Sequence, residues 1–412
     1  MTLSEPFSLM AQQALAAAFD LRNLPADFYE NPFPYYAALR RYAPIKALPD
    51  GSYLFSRYDD VKYLYTHAEL FSSDKKLEFA PKFGDSLLFE HHTSSLVFTD
   101  PPRHAAIRPI IMTAFTSRAL VAMEPMLEQM VARLLDMLEV QSGPDLIEHF
   151  AGVIPVEVIA SLLGVPEAER EPLRRWSLAI LSALEPVISP AVFEAGNVAV
   201  QEMLDYLARL IAQRRKQPGD PDQDMLTRLI QAQALEAVGL SERELLHNCI
   251  LLMNAGHETT TNFVANGLVA LHDWPEQRAL LVNQPELIRS ACEELLRFES
   301  SNQLGSRVTT QAVTVAGVDI PAATQLVLGI GAANRDPAVF EQPDYLDIQR
   351  KPNRHLAFGY GPHQCAGMNL GRMEGRIAMG QFVQRFPEFG LDERVRAQRA
   401  RFRSWSQLAL VL

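Results

Sequence analysis

Cys365 stands in the run Phe358-Gly-Tyr-Gly-Pro-His-Gln-Cys-Ala-Gly367, with two glycines and a proline before it and a helix-compatible stretch from about Ala366 to Arg385 after it. That order puts the sulfur at a helix N-terminus, where free backbone N–H groups and the positive end of the helix dipole lower a thiol pKa and hold a thiolate. Such an anion is a soft ligand for iron. It is equally a nucleophile for acyl transfer or redox work, and a cysteine in a glycine-rich turn can also be an inert buried thiol. The residues alone leave all three open.

Three further groupings carry charge or hydroxyl chemistry. Glu294-Leu-Leu-Arg297 sets a carboxylate and a guanidinium at i, i+3 on one helix face; most such pairs are solvated and contribute little. Ala255-Gly-His-Glu-Thr-Thr260 interrupts an apolar helical run with glycine and threonine, both unfavourable at a helix centre. A close helix–helix contact at Ala255 and Gly256, with a threonine bonded back to the preceding turn, accounts for it without catalysis. His104-Ala-Ala-Ile-Arg108 places two possible cations at i, i+4 on a helix that starts after Asp100-Pro-Pro102, a spacing that usually marks a solvated face.

The elements that must position these groups are mostly helical. Apolar residues recur at helical spacing from Arg103 to about Ala234, with breaks at Ser142 to Pro144 and Gln217 to Asp222. Helices are expected over about Glu242 to Asp273 and Pro285 to Glu299, with short ones near Tyr36 and residues 59 to 67. Strands are expected at Ser52 to Arg57, Val313 to Val315, Val318 to Ile320 and Gln325 to Ile330. Lys75 to Thr99 loses its period at Pro81, Gly84, His91 and His92 and reads as a long loop. The expected fold class is mainly α with a minor β part (α+β): one domain over residues 1–412, with strand-rich regions at about 30–60 and 310–332.

A net charge of −11 argues against an extended nucleic-acid surface. Cys249, Cys292 and Cys365 have no paired spacing for disulfides or a zinc ribbon. No basic residue precedes Arg22, and no run approaches the roughly 18 apolar residues of a membrane span. A cytoplasmic protein without a membrane anchor is expected.

Phe358, Gly359, Gly361, His363, Cys365 and Gly367 fill the spacing of the cysteine loop of cytochromes P450, and the chain resembles the soluble bacterial members of that family. Asn31-Pro-Phe-Pro, Asn334-Arg-Asp-Pro337 and His355-Leu-Ala-Phe358 extend the likeness along the chain. Gly371 stands where the family usually has alanine. The resemblance implies haem b held between the long central helix and the helix following the cysteine loop, with Cys365 as the axial metal ligand. It further implies that Phe358 shields the sulfur, that Ala366 and Gly367 border the haem, and that His104, Arg108, Arg307 and His363 meet its propionates. Ala255 and Gly256 would form an oxygen-binding groove. Glu258 and Thr259 would be an acid–alcohol pair, Thr259 positioning and Glu258 relaying protons, with Thr260 a packing residue and His257 turned away. Glu294, Arg297 and a third member, Arg350, would lock the cysteine region from within.

The activity so implied is that of a monooxygenase, which hydroxylates, dealkylates or otherwise oxidises a small to medium organic substrate with dioxygen. A thiolate ligand suits O–O cleavage. The length leaves no room for a fused flavin reductase, so a separate ferredoxin or flavodoxin with its reductase is the expected electron source, and Arg103, Arg372 and Arg376 are candidate docking cations. The pocket is expected to draw on His92, Val97, Leu251, Asn254, Ala255, Gln303 and Leu304. Ser301 replaces a proline common in relatives, and the polar run Ser300 to Gln303 either meets a polar substrate group or satisfies backbone. A peroxide-driven hydroxylase and a haem-binding sensor are the competing readings.

Overall fold

The computed structural model describes residues 9–221, 224–234 and 239–412. Ser241 and Glu244 form a capping box at the start of the helix Glu242–Asp273, which satisfies two of the donors that a helix start leaves free. This central helix has 32 residues, about 48 Å at 1.5 Å per residue. It is enclosed by Val153–Leu162, Glu171–Ser182, Pro190–Lys216, Ile288–Phe298 and Met368–Arg385. Its buried amides clip other segments to it. Asn248 Oδ1 accepts from Leu96 N at 3.0 Å, and Asn266 Nδ2 donates to Arg403 O at 2.7 Å. Buried polar groups are tolerated when bonded in this way.

The architecture is mainly α with a minor β part. Strands β1 (Ile45–Ala47), β2 (Tyr53–Phe55), β3 (Phe71–Ser72), β4 (Leu304–Thr309) and β7 (Gln325–Gly329) form one sheet in the order β1-β2-β7-β4-β3, parallel only between β2 and β7. β5 (Val313–Val315) and β6 (Val318–Ile320) make a hairpin whose turn residues, Ala316 and Gly317, both have positive φ, as a tight turn matching strand twist requires. β8 (Gly390–Arg396) and β9 (Trp405–Val411) pair as a second hairpin, whose connecting residues reach the central helix.

Several sequence expectations need correction. Lys75 to Thr99 is not a loop but two helices, Lys76–Phe83 and Leu87–Ser94, followed by a 3-10 turn, Leu96–Phe98. Ser86 caps the second helix by accepting from Phe89 N, a start signal that the neighbouring glycine and histidines obscured. Pro275–Asn283 is a separate helix. Gln325 to Ile330 ends as a strand at Gly329. β4 was missed because it is covered on both faces and so shows no alternation; Arg307 lies within it. The cysteine helix begins at Met368, leaving Ala366 and Gly367 outside it, Gly367 as its N-cap. Among the described residues no single helix is long and apolar enough to cross a membrane.

Candidate active site

Gly359 and Gly361 adopt φ of 67° and 71°, a region open to glycine and strained for other residues. The turn they allow closes on itself: Cys365 N donates to Phe358 O at 2.9 Å and Gly359 N to Leu356 O at 2.8 Å. Arg108 Nη2 donates to Gln364 O at 2.6 Å, tying the loop to the helix Arg103–Met112. Cys365 is thereby presented with one side open, while protein crowds the other. That crowding pushes the thiol above its ordinary pKa, against the opposing pull of the Gly367 N–H, Arg108 and Arg372. The helix end expected to lower the pKa is therefore outweighed by burial. A cation bound at the sulfur would remove the proton outright. Cys249 and Cys292 are fully enclosed core thiols whose pKa burial also raises.

Basic groups from four segments converge beside the loop. The rings of His104 and His363 lie 4.0 Å apart, and the Nε2 atom of each is buried without a partner. Arg307 sits over the Tyr65 ring at 5.1 Å and donates to its neighbour's carbonyl, Ser306 O, at 2.8 Å. Burial, then Arg307, His104, Arg108 and Lys75, hold His363 down to about 3. Two orphaned imidazoles and two guanidiniums that repel one another fit a group bearing two carboxylates. Haem b is such a group, and the accessible Cys365 sulfur beside Arg108 suits its iron.

The central helix, packed on the helix that follows the cysteine loop, has one accessible wall. From Leu245 to Leu271 only Leu251, Ala255, Gly256 and Thr259 escape burial, three of them at i, i+4 and i+8 and so on one face. Gly256 is turned instead toward a neighbouring helix: a Cβ there would meet Ile159 at 3.1 Å. Its glycine serves helix packing rather than the cavity. Thr259 Oγ1 donates to Ala255 O at 2.7 Å. Glu258 is buried and ion-paired with Arg399, whose Nε also donates to Glu185 at 3.0 Å; Glu258 Oε2 has no partner. His257 packs away from this wall, beside a cavity of about 10 Å³ lined by Ile159, Ser177 and Met253.

Thr260 is more than a packing residue. Its hydroxyl donates to Glu374 Oε2 at 3.4 Å across the interface with the cysteine helix. Burial raises the Glu374 pKa to about 8, so at neutral pH the carboxyl is protonated in the fold and ionised in the unfolded chain. A raised carboxyl pKa costs stability as pH climbs from the unfolded value toward the folded one. Glu374→Gln is expected to gain stability over wild type progressively between about pH 4.5 and 8, by at most about 1.4 kcal/mol per pH unit. Urea melts at pH 5 and pH 8 check this; an equal difference at both would refute it.

Glu294 and Arg297 have no exposed surface. Arg297 donates to both carboxylate oxygens at 2.8 Å and Arg350 Nε to both at 3.1 Å. Asp347 N and Asn353 Nδ2 add bonds at 3.0 Å. Phe358 lies under Arg372, whose guanidinium is 4.7 Å from the ring centroid. A Cβ on Gly371 would sit 3.9 Å from that ring, an ordinary contact, so the glycine there meets no steric need.

Other expectations fail on geometry. Arg103, Arg372 and Arg376 each pair with a carboxylate of their own chain, Glu244, Glu293 and Glu124, which offsets the charge each would present to a partner. Leu304 packs in the core with Phe28, Tyr36 and Val327 rather than in a pocket. Val97 is 40% exposed, on the 3-10 turn. The polar run after Glu299 chiefly satisfies backbone: Gln303 Nε2 donates to Ser300 O at 2.6 Å, Gln303 N to Arg401 O and Arg403 N to Ser301 O, both at 2.8 Å. Its Oε1 remains free, as do both amide atoms of buried Asn254 and the Nε2 of His92. Arg399, Glu185 and Glu374 were not anticipated. Five arginines between Arg394 and Arg403 were the available signal for the first, in a stretch that reads as a solvated tail.

The cytochrome P450 family model matches residues 174–283 and 280–398. A vitamin D(3) 25-hydroxylase of Pseudonocardia autotrophica is 37% identical over 393 residues, 93% of this chain and 94% of that protein. Among solved structures, P450BioI in complex with hexadec-9Z-enoic acid ligated acyl carrier protein superposes with a TM-score of 0.88 at 32% identity, covering 94% of this chain and 100% of that one. Epothilone D-bound P450epoK gives 0.88 at 31% identity over 96% and 99%.

Proposed function

From the premise that the chain belongs to the cytochrome P450 family, whose members are haem-thiolate monooxygenases, we propose that Cys365 would hold the haem iron and that Ala255 and Thr259 would form the wall where dioxygen is used. One observation supports the assignment most: Cys365 is accessible in a loop that Arg108 ties to the helix of His104, beside the orphaned Nε2 atoms of His104 and His363. His104, Arg108, Arg307 and His363 would hold the propionates. Phe358 covers the sulfur, with Ala366 and Gly367 at the haem edge. When bound, haem with a thiolate ligand supplies the electron donation that favours O–O cleavage.

Thr259 spends its own proton on Ala255 O. Its oxygen is then free to accept from a water and to aim that water's second proton into the cavity. Arg399, itself held by Glu185, fixes the Glu258 carboxylate through one oxygen, which leaves the unpartnered Oε2 as the atom that takes up and gives up protons. His92, Leu251, Asn254 and Gln303 face the substrate, which by the range of the relatives is a medium-sized, largely apolar organic molecule that becomes hydroxylated. Electrons come from a separate iron–sulfur or flavin protein.

Thr259→Ala is expected to cut product formed per electron pair on the order of 10²-fold, within the range of a lost proton-transfer group, while peroxide-supported turnover persists. Electron consumption and product are measured together with a reductase partner. Unchanged coupling would remove the proton-positioning role.

A further inference from the structure

The tip of the β8–β9 hairpin carries Arg401, whose Nε has no hydrogen-bond partner among the described residues. Arg401 is anchored through its backbone: its N–H donates to Glu185 Oε2 at 3.1 Å, and its carbonyl accepts from Gln303 N at 2.8 Å. Its side chain leaves that anchor half-buried, with Nε enclosed and without a partner. Lys82, on the helix Lys76–Phe83, donates to the backbone carbonyl of Glu185 rather than to its carboxylate. That carboxylate is already taken by Arg399 Nε and the N–H groups of Ala400 and Arg401. Glu78 is taken by Lys75 at 3.2 Å and by Ser306, and Glu258 by Arg399.

Four cations, Lys75, Lys82, Arg399 and Arg401, thus gather around three carboxylates, Glu78, Glu185 and Glu258. The positive charges feel one another. Burial and then Arg401 lower Lys82 to about 8; burial, then Lys82 and Arg401, hold His92 down to about 3. Around them the walls are apolar. Phe79, Phe83 and Phe98 ring His92 at 5.6 to 5.8 Å between centroids, and Phe402 follows Arg401 into the core. An enclosed guanidinium N–H without a partner is a standing cost that a bound anion offsets.

Resting on the reading of this cavity as the substrate site, we propose that Arg401, with Lys82 beside it, recognises a carboxylate on the substrate, which is therefore a free carboxylic acid on an otherwise apolar body. A methyl ester or an alcohol of the same chain leaves the excess charge unmet. Hydrogen bonds to charged groups discriminate by roughly 10- to 100-fold.

The test titrates the haem-loaded protein with dodecanoic and hexadecanoic acids, their methyl esters and the corresponding alcohols, following the haem spin-state shift and, independently, calorimetric heat. Wild type is expected to bind at least one acid some 10- to 100-fold more tightly than its ester. Arg401→Leu and the isosteric but uncharged Arg401→Gln are expected to lose that preference, and Arg401→Lys to keep part of it. Equal affinity for acid and ester in wild type, or an acid preference surviving in both uncharged variants, overturns the proposal. The two readouts separate the claims. An acid preference by calorimetry without a thiolate-type carbon monoxide spectrum would uphold the anion site and sink the haem-thiolate reading, and that spectrum without the preference would do the reverse.

Discussion

Replacing Cys365 by serine is expected to abolish the reduced carbon monoxide signature of the thiolate and to lower turnover by at least about 10³-fold, a barrier increase of roughly 4 kcal/mol. A hydroxyl is a poor, hard donor that keeps its proton, so the electron donation that favours O–O cleavage is lost. The fold is expected to survive, because the loop is held by backbone bonds, Cys365 N to Phe358 O and Gly359 N to Leu356 O, and by Arg108 on the Gln364 carbonyl. Circular dichroism and the carbon monoxide difference spectrum, taken on the same preparation, check both halves. A serine variant with an unaltered spectrum and undiminished turnover would show that the metal is held elsewhere.

The second large effect falls on stability. Glu294→Ala strips the shared anion from two guanidiniums, one wholly buried and the other nearly so. Removing one partner of a buried pair costs about 3–5 kcal/mol, because the remaining charge stays out of water uncompensated. Set against a total of roughly 5–15 kcal/mol for a folded protein, that loss leaves little reserve. The variant is expected to show a much lower urea midpoint and poor haem retention, whereas Glu294→Asp, which preserves the charge, recovers part of the loss. A change in midpoint corresponding to less than about 1 kcal/mol would place the site among ordinary surface pairs.

Legibility in the sequence followed the range of the forces involved. The central helix was readable to the residue because its start is a local capping box and its end is enforced by Trp274-Pro275. The cysteine loop was readable because two glycines with positive φ leave a compositional trace. Helix Lys76–Phe83 was not, since Pro81 lies inside it and proline normally argues against an interior helical position. β4 was hidden because its pairing with β7 is a tertiary fact and both its faces are covered. The site divides the same way. Glu294 and Arg297 are three residues apart and announce themselves; Arg399 and Glu258 are 141 residues apart and meet only when the hairpin folds onto the central helix. The thiol pKa expectation failed for a related reason: a helix end can be read locally, but the desolvation that outweighs it cannot.

The accessible face of the central helix consists of Leu251, Ala255 and Thr259. No thiol, thioether, phenol or indole is among them; Cys249 and Met253, their sulfur-bearing neighbours in the same helix, are turned into the core. A surface so composed is hard to damage. On this face an oxidant would meet only a hydroxyl, a methyl and saturated carbon, which resist oxidation better than sulfur or an electron-rich ring.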